Sequence, residues 1–247
     1  MALTNKLTAI GDAIREKTGR TELLKLDEMP SAIASIEGGS SKYAPKAISF
    51  YNYQGTELDY ELSNLDLSNA TSLYNMFSNC KNLTTINLSN FNTENVTTVD
   101  NMFYYCQALL NVSLENLKFP NLTTVSSMFG QCKVLTEVDL SSWETSQITS
   151  MNQMCQNCAK LTKADLSGLR GTITSFTTVF GGCYKLMHID IRNLDLSNAS
   201  TANAFIGVPT SCLIIVKDDA NKAWFASNYS TLTNVKTLAE YQAEGGV

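Results

Sequence analysis

The stretch "MFSNCKNL" at Met76–Leu83 returns 26 residues later as "MFYYCQAL" at Met102–Leu109, and 26 after that as "MFGQCKVL" at Met128–Leu135. Two further coils begin at Met154 and Val179, the Met154 coil being one residue short. A degenerate coil from Phe50 to Asn75 precedes them, its "LSNLDLSNATSLYN" aligning with "LSNFNTENVTTVDN". Placing the coils under one another produces columns. One holds Cys80, Cys106, Cys132, Cys158 and Cys183; the next holds Leu83, Leu109, Leu135, Leu161 and Leu186. Ile86, Val112, Val138, Ala164 and Ile189 form a third, and Leu88, Leu114, Leu140, Leu166 and Ile191 a fourth.

The resulting spacing, L-x-x-L-x-L, is that of a leucine-rich repeat. Positions such as Ile86 and Leu88 alternate with polar neighbours, as in a short strand with one buried face. Val96, Val99, Met76 and Phe77 supply the same core from the rest of the coil. One coil cannot repay the entropy of ordering its backbone, so stability must come from stacking. The expected fold class is α+β: a β-rich leucine-rich-repeat solenoid of about six coils of 25–26 residues. A helical segment precedes the coils, and a capping strand and helix follow them.

A cysteine in every coil admits three explanations: a disulfide framework, a metal site, or a small buried side chain. Equivalent positions in a solenoid stack about 4.8 Å apart, yet parallel in-line side chains rarely reach the disulfide dihedral. An odd total of seven cysteines also counts against pairing. "CQNC" at Cys155–Cys158 resembles half a zinc site without its second ligand pair. Cys155 merely occupies the column of Phe77, Phe103, Phe129 and Phe180. The five cysteines are therefore expected to be a structural ladder of free thiols used as small apolar fillers, with no metal and no cofactor.

Composition narrows the function further. Apolar residues make up 44% and charged residues 17%, and the net charge of −5 lacks the Lys and Arg clusters that nucleic acid demands. No apolar run approaches the roughly 20 residues of a membrane span. The opening "MALTNKLTAIGDAIREKTG" lacks the order of a signal peptide, so synthesis in a reducing cytoplasm is expected. His188 is the single histidine, and no nucleophile elbow or phosphate loop accompanies it. Enzymatic activity is not expected.

With Met-Phe, Cys and Leu columns in register, the coils from about Phe50 to Ile206 resemble the BspA-like leucine-rich repeats of bacterial surface and phage-encoded proteins, whose consensus is "MFxxCxxLTxLDLSxF". The resemblance implies a binding or adhesion module and brings no catalytic residue. The tail "CLIIVKDDANKAWFASNYSTLTNVKTL" is similar to the usual end of such arrays, with a strand at Leu213–Val216 and a helix near Asp219–Ala226 carrying Trp224 and Phe225. At the other end Leu3, Leu7, Ile10 and Ile14 form a helical seam suited to a partner, and "LDEMPSAIASI" indicates a second short helix. This segment is similar to N-terminal modules of tail-associated, fibre-like proteins from phages and prophages of Gram-positive bacteria. An attachment and oligomerisation module at residues 1–37 is one reading, and a two-helix cap on the solenoid is the other. "GGSS" within residues 38–46 is the expected linker, residues 47–205 the solenoid and residues 206–247 the cap.

Outward strand positions are the usual ligand surface of such arrays. They gather charge in adjacent coils at Glu137, Asp139, Lys163, Asp165, His188, Asp190 and Arg192, whereas earlier coils offer mainly Thr, Asn and Ser around an acidic Asp59 and Glu61. A solvated sheet face and a ligand surface both fit. The functional expectation is a phage or prophage tail-associated protein that recognises a bacterial surface glycan or protein through this face. It is held in the virion by its N-terminus as a homo-oligomer, with a trimer favoured by analogy. An adhesin or an interaction scaffold is the alternative.

Overall fold

A computed structural model of the 247-residue chain describes residues 50–54, 67–89, 91–200 and 202–246. The strands are short: β1 (Thr85–Asn87), β2 (Asn111–Ser113), β3 (Glu137–Asp139), β4 (Lys163–Asp165), β5 (Gly171–Thr172), β6 (His188–Asp190), β7 (Leu194–Asp195), β8 (Leu213–Val216) and β9 (Val235–Thr237). Helix α1 (Asp219–Asn228) lies between β8 and β9, and α2 (Leu238–Ala243) follows β9. Every pairing among them is parallel. β3, β4, β6, β8 and β9 form one sheet, while β1–β2 and β5–β7 form two smaller ones. Among the described residues no ladder joins β2 to β3; those coils are held together through their turns, for instance by Phe103 N donating to the Met128 carbonyl at 2.8 Å. At the back of the coils, single parallel bridges link Ser72, Thr98, Thr124, Ser150 and Ser175.

The fold is the expected leucine-rich-repeat solenoid, and its apolar columns face one shared core. Phe50, Phe77, Phe103 and Phe129 stack with centroids 5.4 to 5.6 Å apart and nearly parallel rings. The cysteine ladder is buried and unpaired, and it does more than fill space. Each thiol donates to a backbone carbonyl of the preceding coil: Cys80 to Phe50, Cys106 to Phe77, Cys132 to Phe103, Cys158 to Phe129 and Cys183 to Cys155, at 3.0 to 3.3 Å. A column of valines would leave those buried carbonyls without this partner. Burial pushes the Cys132 and Cys183 thiols upward and that of Cys212 up to about 12, so these three are not ready nucleophiles.

Each coil turns on two residues in the left-handed region, four positions apart: Asn75 and Asn79, Asn101 and Tyr105, Ser127 and Gln131, Gln153 and Asn157. Asparagine tolerates this conformation best among residues with a side chain, which accounts for much of the Asn content of the turns. In the later coils glycine takes the second place, at Gly182 and Gly207, where φ is 81° and 84°.

The C-terminal segment replaces the coil that would come next. β8 and β9 extend the sheet. The buried Asn221 side chain, on α1, accepts from Leu196 N and donates to the Leu194 carbonyl, at 3.1 and 2.8 Å. The Tyr229 hydroxyl accepts from Ala204 N at 3.2 Å. Phe225 is buried against the last core layer, with Trp224 edge-on to Phe176. The sequence reading ended α1 near Ala226; the helix runs to Asn228, where the Tyr229 N–H closes it on the Phe225 carbonyl. The proposed N-terminal seam at Leu3, Leu7, Ile10 and Ile14 lies outside the described residues.

Candidate recognition face

Alternation along three-residue strands sends the middle residue inward and the flanking two outward, which generates two polar rows. One runs Thr85, Asn111, Glu137, Lys163, His188 and Leu213; the other runs Asn87, Ser113, Asp139, Asp165, Asp190 and Ile215. Asp59 and Glu61, assigned to the same rows, lie outside the described residues. Glu137 and Asp139 are exposed, and Lys163, Asp165, His188 and Arg192 are half-buried. Lys163 meets Glu137 across the coil boundary at 2.9 Å, with both side chains about half open to water (42% and 51%). That hydrogen bond holds the Lys163 ammonium above its ordinary value.

Asp190 departs from the expected exposure. It is 1% exposed, gripped by the Arg192 guanidinium, whose Nε lies 2.9 and 2.8 Å from its two oxygens. The reason is the C-terminal segment: α2 packs over β8 and β9, and its Tyr241 ring sits edge-on to His188 with centroids 6.1 Å apart. Ile215, beside Asp190 in register, is fully buried on this outer face, outside the solenoid core. Burial holds the His188 imidazole below its ordinary 6.5 against the opposing pull of Asp190.

The aspartate column also has a local duty that the sequence reading missed. Each Oδ1 accepts the backbone N–H two residues on: Asn87 from Ser89, Asp139 from Ser141, Asp165 from Ser167, Asp190 from Arg192, at 2.9 to 3.1 Å. These Asx turns end the strands, so the recurring Asx-Leu-Ser tripeptide was itself the signal. The three stacked carboxylates are thereby each tied to a backbone N–H of their own coil, and among the described residues no three His, Cys, Asp or Glu side chains converge as metal ligands.

The back face spends its polar groups differently. The Thr97, Thr123, Thr149 and Thr174 hydroxyls each donate to the carbonyl of the preceding threonine, at 3.0 to 3.4 Å. Beside them Thr124 Oγ1 and Ser126 N both donate to Asp100 Oδ1 at 2.7 Å. Desolvation nonetheless raises the Asp100 carboxyl above its ordinary value.

The repeat region, residues 46–138 and 110–211, matches a family described as Mycoplasma protein of unknown function, DUF285. The chain belongs to this family. Its DUF285 coils are those whose Met-Phe, Cys and Leu columns form the core described above. Among solved structures, an internalin C2 from Listeria monocytogenes is 14% identical over 84% of this chain and 92% of that one, with a TM-score of 0.32. The TLR13 chain of a complex with ssRNA13 is 17% identical over 79% of this chain and 36% of its own, with a TM-score of 0.23. No curated protein sequence matches the chain.

Proposed function

We propose that this chain is a non-enzymatic recognition module whose outer strand face binds a hydroxyl-rich polymer of a bacterial surface. The observation that carries the reading is the open part of that face. Glu137, Asp139, Lys163 and Asp165 stand on a rigid parallel sheet, and Glu137–Lys163 is the one ion pair between coils there among the described residues. Alternating acceptors and donors at the strand spacing suit a chain of sugar hydroxyls. The N-terminal resemblance supports a place in a phage tail, with residues 1–37 as attachment module, residues 38–46 as joint and a homotrimer as assembly. The virion is then where the protein acts. Co-sedimentation of the full chain with isolated Gram-positive wall polysaccharide tests the first claim. Saturable binding lost in Lys163→Glu is expected, and absence of binding to any wall or glycan preparation overturns it. Native mass measurement tests the trimer.

A protein-binding scaffold is favoured by a different observation. Tyr184, Met187 and Ile206 are 67%, 64% and 60% exposed in the last coil and its successor, and Tyr184 and Ile206 both border the Gly181–Gly182–Gly207 turn. Exposed apolar groups gathered in this way mark protein contacts.

A further inference from the structure

We propose that α2 is a strap that closes the C-terminal third of the strand face and opens without the rest of the fold. This concerns access to the face assigned above, and its sense for binding rests on that reading.

Three observations carry it. First, what α2 covers belongs to the outer face and not to the core. Ile215 shares its row with Asp190 and Lys236, is fully buried, and stands apart from the solenoid's apolar cluster. Exposure along that row falls steadily, from open Asp139 through half-buried Asp165 to buried Asp190 and Ile215. A surface that is continuous in sequence is thus interrupted by the chain's own tail.

Second, α2 is weakly built. It has six residues and buries none of them; Leu238 and Tyr241, one turn apart, are only half-covered, Tyr241 with its ring against His188. A helix so short has little stability of its own in water. Its start is fixed by a capping box, with Thr237 Oγ1 accepting from Glu240 N and the Glu240 carboxylate accepting from Thr237 N.

Third, side-chain ion pairs reaching from neighbouring elements hold it down. Lys222 of α1 bonds Glu240 at 2.5 Å, and Lys236 of β9 bonds Glu244 just past the helix end. Both are at the surface, where salt screens them. By contrast α1 is anchored by buried Asn221 and Phe225, so the two helices of the cap have separate fates. Opening uncovers Ile215, the Asp190–Arg192 pair and His188, and frees two lysines.

Ile215→Cys in the full chain reads the opening directly, because all seven native cysteines are buried. Labelling of the introduced thiol by a thiol reagent is expected at least tenfold faster than unfolding. It should speed up a further several-fold in 1 M salt or with Lys222→Ala and Lys236→Ala. Hydrogen exchange on the unsubstituted chain gives a second readout: α2 amides should exchange at least tenfold faster than those of α1. Labelling no faster than unfolding, equal exchange in the two helices, or indifference to both salt and the lysine substitutions overturns the strap. No ligand enters these measurements, so their failure leaves the binding reading standing, and a failure to bind polysaccharide leaves the strap standing.

Discussion

Both long faces of the solenoid carry short polar side chains, and the two faces spend them differently. On the back, threonine hydroxyls donate to the carbonyls of the neighbouring coil, and Asp100 gathers the hydroxyl and amide of the next. On the strand face, the carboxylates bond within their own coil, two residues along; among the described residues the open region is crossed between coils by the Glu137–Lys163 pair and by the Thr162 hydroxyl, which donates to the Thr136 carbonyl at the strand start. One face therefore stitches coils together, and the other ends its strands and keeps remaining valences toward water. Polarity alone does not make a face available to a ligand; the direction in which its hydrogen bonds are spent decides.

The largest expected effect removes what both faces share. Phe103→Ala opens a hole in a stack whose neighbours lie 5.4 and 5.6 Å away, and should cost about 3–5 kcal/mol in urea unfolding. A smaller loss would mean that the coils collapse around the gap. Next comes the stitching itself. Thr97→Val with Thr123→Val keeps shape but removes two hydroxyl donors, and a combined cost of about 1–3 kcal/mol is expected. Threonines that were inert surface would cost nothing, so unfolding midpoints separate the two pictures.

The strand face should respond less. Asp139→Ala loses an Asx turn and is expected to cost about 0.5–1.5 kcal/mol, whereas Asp139→Asn should be near neutral in stability, since Asn87 performs the same task. The smallest effect is a pH dependence. Because burial depresses the His188 pKa, the unfolded chain binds the proton first. Its contribution is complete above pH 6.5 and is lost as pH falls toward the folded value; His188→Gln should flatten that part of the stability profile.

The repeat, its core columns and the free thiols were legible because a core position recurs in every coil and period alone exposes it. The strand at Leu213–Val216 and the start of α1 were legible in a tail similar to the usual end of such arrays. The covering of Asp190 was not, because α2 acts once, and its hold depends on side chains of three separate elements, Lys222, Lys236 and Tyr241. Nor was the thiol–carbonyl bond of the cysteine ladder: the column shows that a small side chain is wanted, and only the geometry shows that it must also donate.

The central claim is that the strand face, and not the back, meets the ligand. The most direct measurement compares attachment to isolated wall polysaccharide for the parent, for Glu137→Gln with Asp139→Asn and Lys163→Met, and for Thr97→Val with Thr123→Val. All three proteins should be held at a temperature where each is folded. The strand-face substitutions keep the Asx turn while removing the charges and the Lys163 ammonium donors, so at least a tenfold loss of affinity, about 1.4 kcal/mol, is expected from them. The back-face protein should bind like the parent although it is less stable. Undiminished attachment by the first variant together with weakened attachment by the second would contradict the account and move the recognition surface to the threonine ladder.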